Sequence, residues 1–518
     1  MSADALPQSQ PQTQTQPLSR AALPRLAPGQ RPAVDPAELR TRVVHFGLGA
    51  FHRAHQAVYT ENAAARSGQP WGITAVAPRS AETVRALREQ DCLYSLTELD
   101  GLTERRPGGE RRPGGGATRV VGAVTGALHM GADAADVDAL LADPEVTVVT
   151  LTVTEKGYHR SPRTGGLDTS APPVAADLAA PSDGSGTALG TVVGRLATGL
   201  AARMRAGAPP VTVVSCDNMA DNGAALERLV HDYVRAAAWP DRATVLDRLA
   251  LAVAFPSTVV DRIVPAATDA DRDAAGAALG VRDALPVAGE PYRQWVLEDS
   301  FAAPRPPWEL DGALFVPDVA PYQLTKLRLL NGSHSALAHL GLAVGRTTIA
   351  DAMAADWGER LVRALCAEIA PTLPAGGPDT GAYADDLVAR FRNPAMRHLL
   401  RQIGSDASLK ITERWLPALR ELRGQGGRGV GTPVLELALA GWAYTTRPCD
   451  DGTGSVTEGV TDPARDALAA CWGPGKRPAD VVGALLRVLG AADLAEDTAL
   501  VTAVADRLPA LRAGRVEI

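Results

Sequence analysis

The 518-residue sequence contains only five cysteines. They lie far apart along the chain, and no two of them form the Cys-x-x-Cys pair that marks structural zinc sites and redox-active disulfides. An odd number of widely spaced cysteines excludes a disulfide framework as the basis of the fold. The sequence therefore predicts reduced thiols, and with them a cytoplasmic location.

A basic surplus and a membrane-spanning run are also lacking. The 52 basic residues are outnumbered by 59 acidic ones, which gives a formal net charge of −7. This balance argues against nucleic acid or an anionic membrane surface as the main partner. The longest apolar stretches are too short to cross a bilayer, because even the one near residues 249–255 is interrupted by Pro256. We expect a small-molecule partner, and a monomer or a small homo-oligomer.

Length and composition predict a folded chain of at least two domains. It is about three times as long as a typical domain, and its 46% hydrophobic and 21% charged residues are near the averages for globular proteins. Residues 1–40, rich in Gln, Pro and Thr, predict a disordered tail. Dense proline at residues 304–307 marks a second boundary, so we expect domains over 41–306 and 307–518.

The first domain shows apolar, β-branched runs that alternate with segments of helical periodicity. Its strand candidates are residues 41–46, 72–77, 146–153 and 211–215. Helix candidates of the second domain are residues 321–340, 350–368, 383–391, 394–403 and 481–489. This pattern predicts an α/β fold with a parallel sheet, followed by a mainly α-helical domain. Residues 102–118, with two Arg-Arg-Pro-Gly-Gly repeats, and residues 171–189 are interpreted as solvated loops.

The turn after the first strand has the residues of a dinucleotide-binding loop of Rossmann type. Gly47 permits a tight turn, Gly49 lets the backbone approach a pyrophosphate, and the helix N-terminus supplies free amide donors. A third glycine is lacking, since His52 stands in its place, so an ordinary strand-to-helix turn is an equally good interpretation of this motif alone. The candidate cofactor contacts here are Phe46, Gly47, Gly49, Ala50, Phe51, His52 and Arg53.

The end of the second strand lacks the acidic residue that binds the ribose of NAD. Arg79 stands there instead and is suited to an adenosine phosphate, which keeps NADP open as a cofactor. Glu155, after the third apolar strand, is a further candidate cofactor contact. His52 and His55 are spaced like a metal pair on a helix, but no third ligand accompanies them, so no metal site is expected.

Six separated blocks resemble those of the mannitol dehydrogenase family, in the same order. They are VHFGLGAFHRAHQAVYT (44–60), LTVTEKGY (151–158), SCDNM (215–219), VVDRIVPAAT (259–268), EPYRQWVLED (290–299) and KLRLLNGSH (326–334). The family comprises long-chain polyol and uronate dehydrogenases that use a nicotinamide cofactor and no metal. The resemblance runs from about residue 41 to the C-terminus, and it favours NAD over NADP.

Three polar side chains share one arc of the helix predicted over the last block. At about 100° per residue, Lys326, Asn331 and His334 fall at roughly 0°, 140° and 80°. Hydride transfer needs a base for the hydroxyl proton, and a buried lysine with a lowered pKa suits that task. Asn331 and Asn218 can donate hydrogen bonds to an oxygen that gains negative charge. The resemblance implies that Lys326 is the general base and acid, that Asn218 and Asn331 bind the reacting oxygen, and that His334 contacts a neighbouring hydroxyl.

Substrate contacts are expected from both domains. Asp261 matches a family residue near the substrate, with an ion pair to Arg262 or to another basic residue as an equal alternative. Lys156 lies at the carboxyl end of a strand, where open parallel sheets bind ligands; a salt-bridged loop with Glu155 is the alternative. At three positions where mannitol 2-dehydrogenases tend to carry glycine, an apolar residue and arginine, the chain has Lys156, Arg293 and Gln402. The fructuronate reductase branch of the family is similar to it at all three.

The sequence therefore predicts a metal-independent, NAD(P)-dependent reductase that converts D-fructuronate to D-mannonate. A carboxylate entering a dry site needs a cation such as Lys156 to replace its hydration. Arg328, about 200° around the helix from Lys326, is interpreted as a structural ion-pair partner. Oxidation of D-mannitol to D-fructose is the alternative activity. A metal-dependent polyol dehydrogenase and a non-catalytic dinucleotide sensor are the alternatives of other classes.

Overall fold

The computed structural model describes residues 16–100, 116–180, 188–425, 431–448 and 459–518. These residues form two compact units, and the chain passes from the first to the second at Pro317. The proline-dense segment 304–307, where the sequence predicts the boundary, lies within the first unit. Most of the predicted loop 102–118 lies outside the described residues.

The first unit, which we call the sheet unit, contains strands and helices in alternation. Its strands are β1 (Arg40–Phe46), β2 (Trp71–Ala77), β3 (Tyr94–Glu98), β4 (Thr118–Val121), β5 (Val124–His129), β6 (Val148–Leu151), β7 (Val211–Ser215), β8 (Val253–Ala254), β9 (Thr258–Asp261), β10 (Val287–Gly289), β11 (Gln294–Glu298) and β12 (Leu314–Val316). Its helices are α1 (Ala50–Ala54), α2 (Gln56–Ser67), α3 (Ala81–Glu89), α4 (Ala134–Ala142), α5 (Pro172–Leu178), α6 (Val192–Arg205), α7 (Asn222–Ala236), α8 (Arg242–Ala252) and α9 (Asp269–Leu279). The predicted alternation of strands and helices is confirmed.

The main sheet has six parallel strands in the order β5-β2-β1-β6-β7-β8. β2 and β7 are buried along their whole length, as expected of strands covered by helices on both faces. The strand order reverses between β1 and β6. At such a reversal the loops after neighbouring strands diverge, and ligands of open parallel sheets bind in the crevice they leave. A ligand-binding site is therefore expected at the carboxyl ends of β1 and β6.

Residues 16–39 are ordered, which corrects the predicted disordered tail. Leu18, Ala22 and Leu26 are buried in a small apolar cluster that includes Val281, and the Leu18 amide donates to the Arg282 carbonyl at 2.8 Å. These three apolar residues are spaced four apart and form one buried face, a pattern that the overall composition of the segment does not reveal. The part of the predicted tail before residue 16 lies outside the described residues.

The loop predicted over 171–189 also needs correction, because α5 begins there on two prolines. Proline is tolerated in the first turn of a helix, where its missing amide has no intrahelical acceptor. Asp177 near the end of α5 is buried and accepts hydrogen bonds from the amides of Gly190 and Thr191 at 2.7 and 2.9 Å. This carboxylate joins α5 to the start of α6.

The second unit, the helical unit, contains only helices and turns among its described residues. Its α-helices are α10 (Ala320–Thr325), α11 (Gly332–Ala343), α12 (Ile349–Met353), α13 (Gly358–Ile369), α14 (Thr380–Phe391), α15 (Leu400–Gly404), α16 (Ala407–Arg414), α17 (Leu416–Gln425), α18 (Pro433–Thr445), α19 (Arg465–Ala469), α20 (Pro478–Val488), α21 (Ala492–Ala495) and α22 (Thr498–Arg512). They enclose one large apolar core. No described helix of the chain is long and apolar enough to span a bilayer.

Two helices predicted in this unit are broken. Residues 350–368 form α12 and α13, because the chain turns so tightly between them that a Cβ built on Gly358 would lie 2.4 Å from the Ala352 carbonyl oxygen. Residues 394–403 form a short 3₁₀ turn and α15, separated at Arg397, whose φ of +41° is incompatible with a right-handed helix.

Candidate active site

The loop after β1 has the geometry of a dinucleotide-binding turn. Gly47 adopts a φ of +115°, and a Cβ built on it would lie 2.1 Å from the Thr152 carbonyl oxygen, so only glycine fits. Gly49 caps the N-terminus of α1, and no atom lies within 4 Å of a Cβ built there. Phe46 is buried at the end of β1, and Ala50 is half-buried in the first turn of α1. The first glycine is required by the turn, and the second leaves open space beside the helix N-terminus.

Two stacked histidines lie beneath this turn. The two ring nitrogens of His45 lie 2.7 Å from Thr150 Oγ1 and 2.8 Å from the Gly47 carbonyl oxygen. The ring of His52 stacks on His45, with centroids 3.4 Å apart. Burial lowers the pKa of His45 to about 3 and that of His52 well below its usual value, so both rings are neutral at pH 7. The sequence predicts a cofactor contact by His52; its side chain is fully buried, so this contact is left to its backbone amide in the first turn of α1.

The expected cofactor contact by Arg53 needs the same correction. Its guanidinium donates to the carbonyl of Leu285 and lies 5.3 Å from the centre of the Tyr94 ring. In return, the Tyr94 hydroxyl donates to the Arg53 carbonyl at 2.7 Å. These contacts place the Arg53 side chain in the interior of the sheet unit, where it supports α1.

The histidines of the HRAH sequence do not form a metal pair. His55 Nε2 lies 2.9 Å from the carbonyl oxygen of Gln294, so it is the protonated nitrogen of that ring, while His52 stacks on His45. The His55 ring also stacks on Phe51, with centroids 5.0 Å apart. Across the described ranges, no group of three or more His, Cys, Asp or Glu side chains is arranged to hold a metal ion.

The end of β2 presents an arginine. Arg79 is exposed, and the next residue, Ser80, caps α3 by accepting a hydrogen bond from the Thr83 amide at 3.2 Å. The strand itself ends at Ala77, without a carboxylate for a ribose hydroxyl. The geometry at this edge is thus compatible with an adenosine phosphate as well as with an unphosphorylated ribose.

A buried carboxylate organises the carboxyl ends of β6 and β7. Asp217 accepts hydrogen bonds from the amides of Val153 and Thr154, both at 2.9 Å, and from the Tyr158 hydroxyl at 2.7 Å. Thr154 adopts a φ of +66°, which β-branched residues rarely do. Burial raises the pKa of Asp217. Sequence analysis missed this residue, although its place beside Asn218 in the SCDNM block was an available signal.

The other candidates at this edge are exposed. Glu155 and Lys156 lie in the 3₁₀ turn Glu155–Tyr158 after β6, and Asn218 follows the end of β7. Within the described part of the chain, neither Glu155 nor Lys156 takes part in an ion pair, so the alternative of a salt-bridged loop is not formed. These side chains are accessible to a ligand at the carboxyl edge of the sheet.

Asp261 is buried at the end of β9. The expected alternative, an ion pair with Arg262, is not what the structure shows. The Arg262 guanidinium donates to the carbonyls of Glu290, at 2.8 Å, and of Ala54, and it pairs with the carboxylate of Glu98 at 3.2 Å. The charge of Asp261 is therefore not neutralised by its neighbour in sequence.

Arg293 is engaged within the sheet unit. It pairs with the buried carboxylate of Asp311 at 2.5 Å, and its guanidinium carbon lies 4.3 Å from the centre of the Tyr59 ring. Asn62 donates to the same carboxylate at 3.0 Å. The same carboxylate also pairs with Arg66 at 3.2 Å, so Asp311 does not neutralise Arg293 alone, and the contact of Arg293 with substrate stays a prediction.

The helix predicted over residues 321–340 is a composite. α10 is followed by a π-helical segment, Lys326–Asn331, and then by α11. The amide of Gly332 bonds to the Leu327 carbonyl, five residues back. A π turn holds more residues than an α turn, so the angular positions calculated at 100° per residue are wrong for the residues that follow Lys326. Such turns are rare and occur frequently at functional sites.

The two titratable candidates on this composite helix are buried. Lys326 is 9% exposed and His334 is 7% exposed, while Asn331 between them is half-buried. Arg328, on the same segment, donates to both carboxylate oxygens of Glu421, at 2.6 and 3.0 Å. The structural ion pair predicted for Arg328 is thereby confirmed.

His334 lies in a basic environment inside the helical unit. The Phe391 ring packs 4.4 Å from it and the His398 ring meets it edge-on at 5.0 Å. Burial, first of all, lowers the pKa of His334 well below its usual value, so the ring is neutral. The cations of Arg390, Arg414 and Lys410 lower it further, and so does the neighbouring His398, whose own pKa is lowered by burial.

Lys410 is a basic residue that sequence analysis missed. It donates to the carbonyls of Ile403, at 3.1 Å, and Ser405, at 2.6 Å, and burial lowers its pKa. Its spacing of four from Arg414 on α16 was the only signal available. Gln402, the expected substrate contact, is exposed on the neighbouring α15.

A parallel sheet with a glycine turn at its switch point, followed in sequence by a helical unit with a buried lysine, defines a nucleotide-dependent dehydrogenase. Family models give the narrower assignment. The mannitol dehydrogenase Rossmann domain matches residues 41–310, and the mannitol dehydrogenase C-terminal domain matches residues 318–512. The chain belongs to the mannitol dehydrogenase family, which confirms the resemblance, and it is an oxidoreductase that acts on CH–OH groups of polyols or sugar acids.

Its relatives include enzymes for both kinds of substrate. It is 37% identical to the D-mannonate oxidoreductase of Escherichia coli (strain K12), over 84% of this chain and 86% of that protein. It is 41% identical to an uncharacterized oxidoreductase of the same organism, YdfI, over 83% and 84% of the two chains. A solved structure, the mannitol 2-dehydrogenase of Pseudomonas fluorescens with NAD and D-mannitol, is 32% identical, with 96% of each chain covered and a TM-score of 0.73.

Proposed function

We propose that the protein catalyses the NAD-dependent, reversible reduction of D-fructuronate to D-mannonate. The observation that carries this proposal is the group of cations beside the composite helix. Arg414 donates to the Asn331 carbonyl at 3.1 Å, and Arg390 and Lys410 act together with it on His334. A substrate carboxylate that leaves water needs cations or several donors in exchange. Mannitol and fructose carry hydroxyls and a carbonyl only, and they gain less from such a setting. The identity to a D-mannonate oxidoreductase supports the same choice.

Carboxylates compensate this positive charge only in part. Asp406 and Asp462 act on Lys410 to raise its pKa, but burial and the charge of Arg414 prevail and the pKa remains lowered. Glu413 acts in the same way on Arg414. We infer that these cations favour a substrate with a negative charge, which a hexuronate carries and a neutral ketose does not.

Lys156 is the proposed cation from the sheet unit. Its side chain is exposed at the carboxyl end of β6, where the strand order reverses. Gln402 remains a candidate for the hydroxyls or the carboxylate of the substrate. Arg293 is a further proposed contact, because Asp311 shares its negative charge between Arg293 and Arg66.

The β1 turn fits a nicotinamide dinucleotide. The positive φ of Gly47 and the open space beside Gly49 leave the first amides of α1 available to a pyrophosphate. Arg79 and Glu155 are the proposed contacts at the edges of this site. When bound, NAD supplies the hydride exchange of the reaction.

The side chains of both units have distinct proposed tasks. In the direction of reduction, Lys326 donates a proton from Nζ to the carbonyl oxygen of the substrate, and in oxidation it accepts the hydroxyl proton. Asn331 and Asn218 donate hydrogen bonds to that oxygen while it carries negative charge. The neutral ring of His334 binds a neighbouring hydroxyl. Asp261 is a further proposed substrate contact.

Two lysine variants test the proposed substrate. Lys410→Met and Lys156→Gly should each raise the KM for D-fructuronate by about tenfold, roughly the worth of one charged hydrogen bond, and change that for D-fructose less than about twofold. Arg163→Gln, which removes the same charge from an exposed position farther along the same loop, is the control. Equal changes for the two substrates in both lysine variants would refute a carboxylate site.

Conversion of D-mannitol to D-fructose is the second candidate. It is favoured by the likeness to the mannitol 2-dehydrogenase that was solved with D-mannitol. If this is the activity, the lysine variants will act through the hydroxyls shared by both ketoses, and the ratio of their KM values will stay unchanged.

A further inference from the structure

Two side chains of the α16–α17 region bond to the backbone of the composite helix. Arg414 donates from a terminal guanidinium nitrogen to the carbonyl oxygen of Asn331, at 3.1 Å, and to Ser335 Oγ, at 2.7 Å. Trp415 donates from Nε1 to the Gly332 carbonyl oxygen at 3.2 Å. Both acceptor carbonyls lie where the π segment passes into α11. The junction is therefore bonded from outside its own helix.

A π turn depends on such external support. Its hydrogen bonds run from residue i to i+5, a pattern that is rare because an α-helical register is normally available to the same chain. A less populated backbone conformation persists where the surrounding structure over-determines it. Here the surrounding structure is the pair of donors, Arg414 and Trp415.

Both donors are held firmly. Trp415 is fully buried, and its ring meets that of His339 edge-on at 6.4 Å. Burial lowers the pKa of Arg414 to about 10, opposed by the charge of Glu413, so the guanidinium stays charged at neutral pH. A charged donor in a partly buried setting makes stronger hydrogen bonds than a neutral one.

We propose that Arg414 and Trp415 are positioning residues that hold the π turn and thereby aim Lys326 and Asn331 at the reacting oxygen. The proposal rests on the proposed catalytic roles of Lys326 and Asn331. Without these bonds, the π segment can relax toward an α-helical register, which rotates its side chains about the helix axis. The base and the amide would then no longer reach the same oxygen together.

Four variants test this inference in the full-length enzyme. Arg414→Met and Trp415→Phe each remove the donors and keep most of the volume, and Arg414→Lys keeps the charge. Arg420→Met is the matched control, because Arg420 pairs with Asp493 on the surface and is exposed. For each we would measure kcat, the KM for D-fructuronate and D-fructose, the Kd for NADH and the primary deuterium isotope effect on kcat.

A positioning role predicts a loss in kcat without a loss in binding. Arg414→Met should lower kcat at least about tenfold and Trp415→Phe at least about threefold, for both substrates, with the Kd for NADH within about twofold. The isotope effect should rise, because the chemical step becomes limiting. Arg414→Lys should recover part of the loss, and Arg420→Met should match the wild type.

Other results overturn the inference. If Trp415→Phe and Arg414→Met keep kcat within about twofold and change only the melting temperature, the two residues are merely structural. If Arg414→Met affects D-fructuronate alone, Arg414 contacts the carboxylate and does not position the turn. Lys326→Ala, measured in the same assays, separates the positioning role from the proposed function. If Lys326→Ala stays active, the proposed function fails. If Lys326→Ala is inactive while the Arg414 and Trp415 variants are unimpaired, only the positioning role fails.

Discussion

The β1 turn of the sheet unit and the π turn of the helical unit are held in their conformations by different means. In the β1 turn the backbone itself sets the geometry, through a glycine at φ +115° that nothing else fits. In the π turn the residues are ordinary, and the side chains of Arg414, at the end of α16, and of Trp415, which follows it, bond to the backbone from outside. A turn fixed by one residue leaves a mark in the sequence; a turn fixed by distant partners does not.

The two turns also treat histidine differently. His45 in the sheet unit lies under the glycine turn and bonds to its backbone, whereas His334 in the helical unit packs against the rings of Phe391 and His398. Both rings are neutral because burial disfavours the imidazolium. The first has a structural task, and the second is proposed to face a hydroxyl.

The largest effect is expected from the π turn. Lys326→Ala should lower kcat by about a thousandfold or more while the Kd for NADH stays within about twofold, since an acid–base group acts mainly in the transition state. Steady-state kinetics with cofactor titration measure both quantities. A variant that keeps more than about a tenth of the wild-type kcat would remove Lys326 from the mechanism.

The next effect distinguishes the two glycines of the β1 turn. Gly47→Ala should cost about 3 kcal/mol in the free energy of unfolding, because the methyl group meets the Thr152 carbonyl and the φ is unfavourable. Gly49→Ala, at a φ of −84° with open space around it, should leave stability unchanged and weaken NADH binding. Urea unfolding and cofactor titration measure the two effects.

Two results with the Gly47→Ala and Gly49→Ala variants would contradict this view of the β1 turn. If Gly47→Ala is as stable as the wild type, the β1 turn does not require glycine at this position. If Gly49→Ala binds NADH normally, the pyrophosphate does not approach that side of the helix N-terminus.

Acid should destabilise both units through buried neutral histidines. The folded-state pKa of His45 and of His339 is lowered to about 3, against an ordinary value of 6.5. The unfolded chain thus binds more protons between these values, and stability that is complete above pH 6.5 is lost as the pH falls toward 3. Each histidine contributes a slope of up to about 1.4 kcal/mol per pH unit.

Urea unfolding at several pH values measures these slopes. His45→Gln should flatten the pH dependence of the sheet unit, and His339→Gln that of the helical unit. Unchanged slopes in both variants would show that these rings are not held neutral by burial.

The smallest effect concerns cofactor choice at the end of β2. NAD should be preferred over NADP, and Arg79→Ala should lower kcat/KM for NADPH by about tenfold while changing that for NADH little, since the exposed guanidinium is suited to a phosphate. Initial rates with the two cofactors decide this. A wild-type preference for NADPH of about tenfold would show that Arg79 outweighs the likeness to NAD-dependent relatives.

The sequence predicts the parts of the fold that rest on local patterns. β1, β2, β6 and β7 lie where apolar β-branched runs placed them, and the glycine turn follows β1, because these features depend on the residues themselves. The order of strands and the buried carboxylate of Asp217 depend on pairing between distant segments. Short-range periodicity carries no record of that pairing.

The surroundings of the candidate site residues could not be predicted for the same reason. His52, Arg53 and Arg293 are charged or polar residues near glycines and strand ends, and sequence alone favours a ligand for them. Their partners, His45, Leu285 and Asp311, lie elsewhere in the chain and only folding brings them close. Lys410 shows the reverse case, because nothing around it in the sequence marks it as a neighbour of His334.

We propose that this dehydrogenase acts on a sugar acid, and the proposal is best tested by comparing its activity on a sugar acid and on a neutral ketose. The purified enzyme should be assayed with NADH and either D-fructuronate or D-fructose under the same conditions. We expect a kcat/KM at least about a hundredfold higher for D-fructuronate, which corresponds to the binding free energy of two charged contacts to its carboxylate. An equal or higher kcat/KM for D-fructose would contradict it.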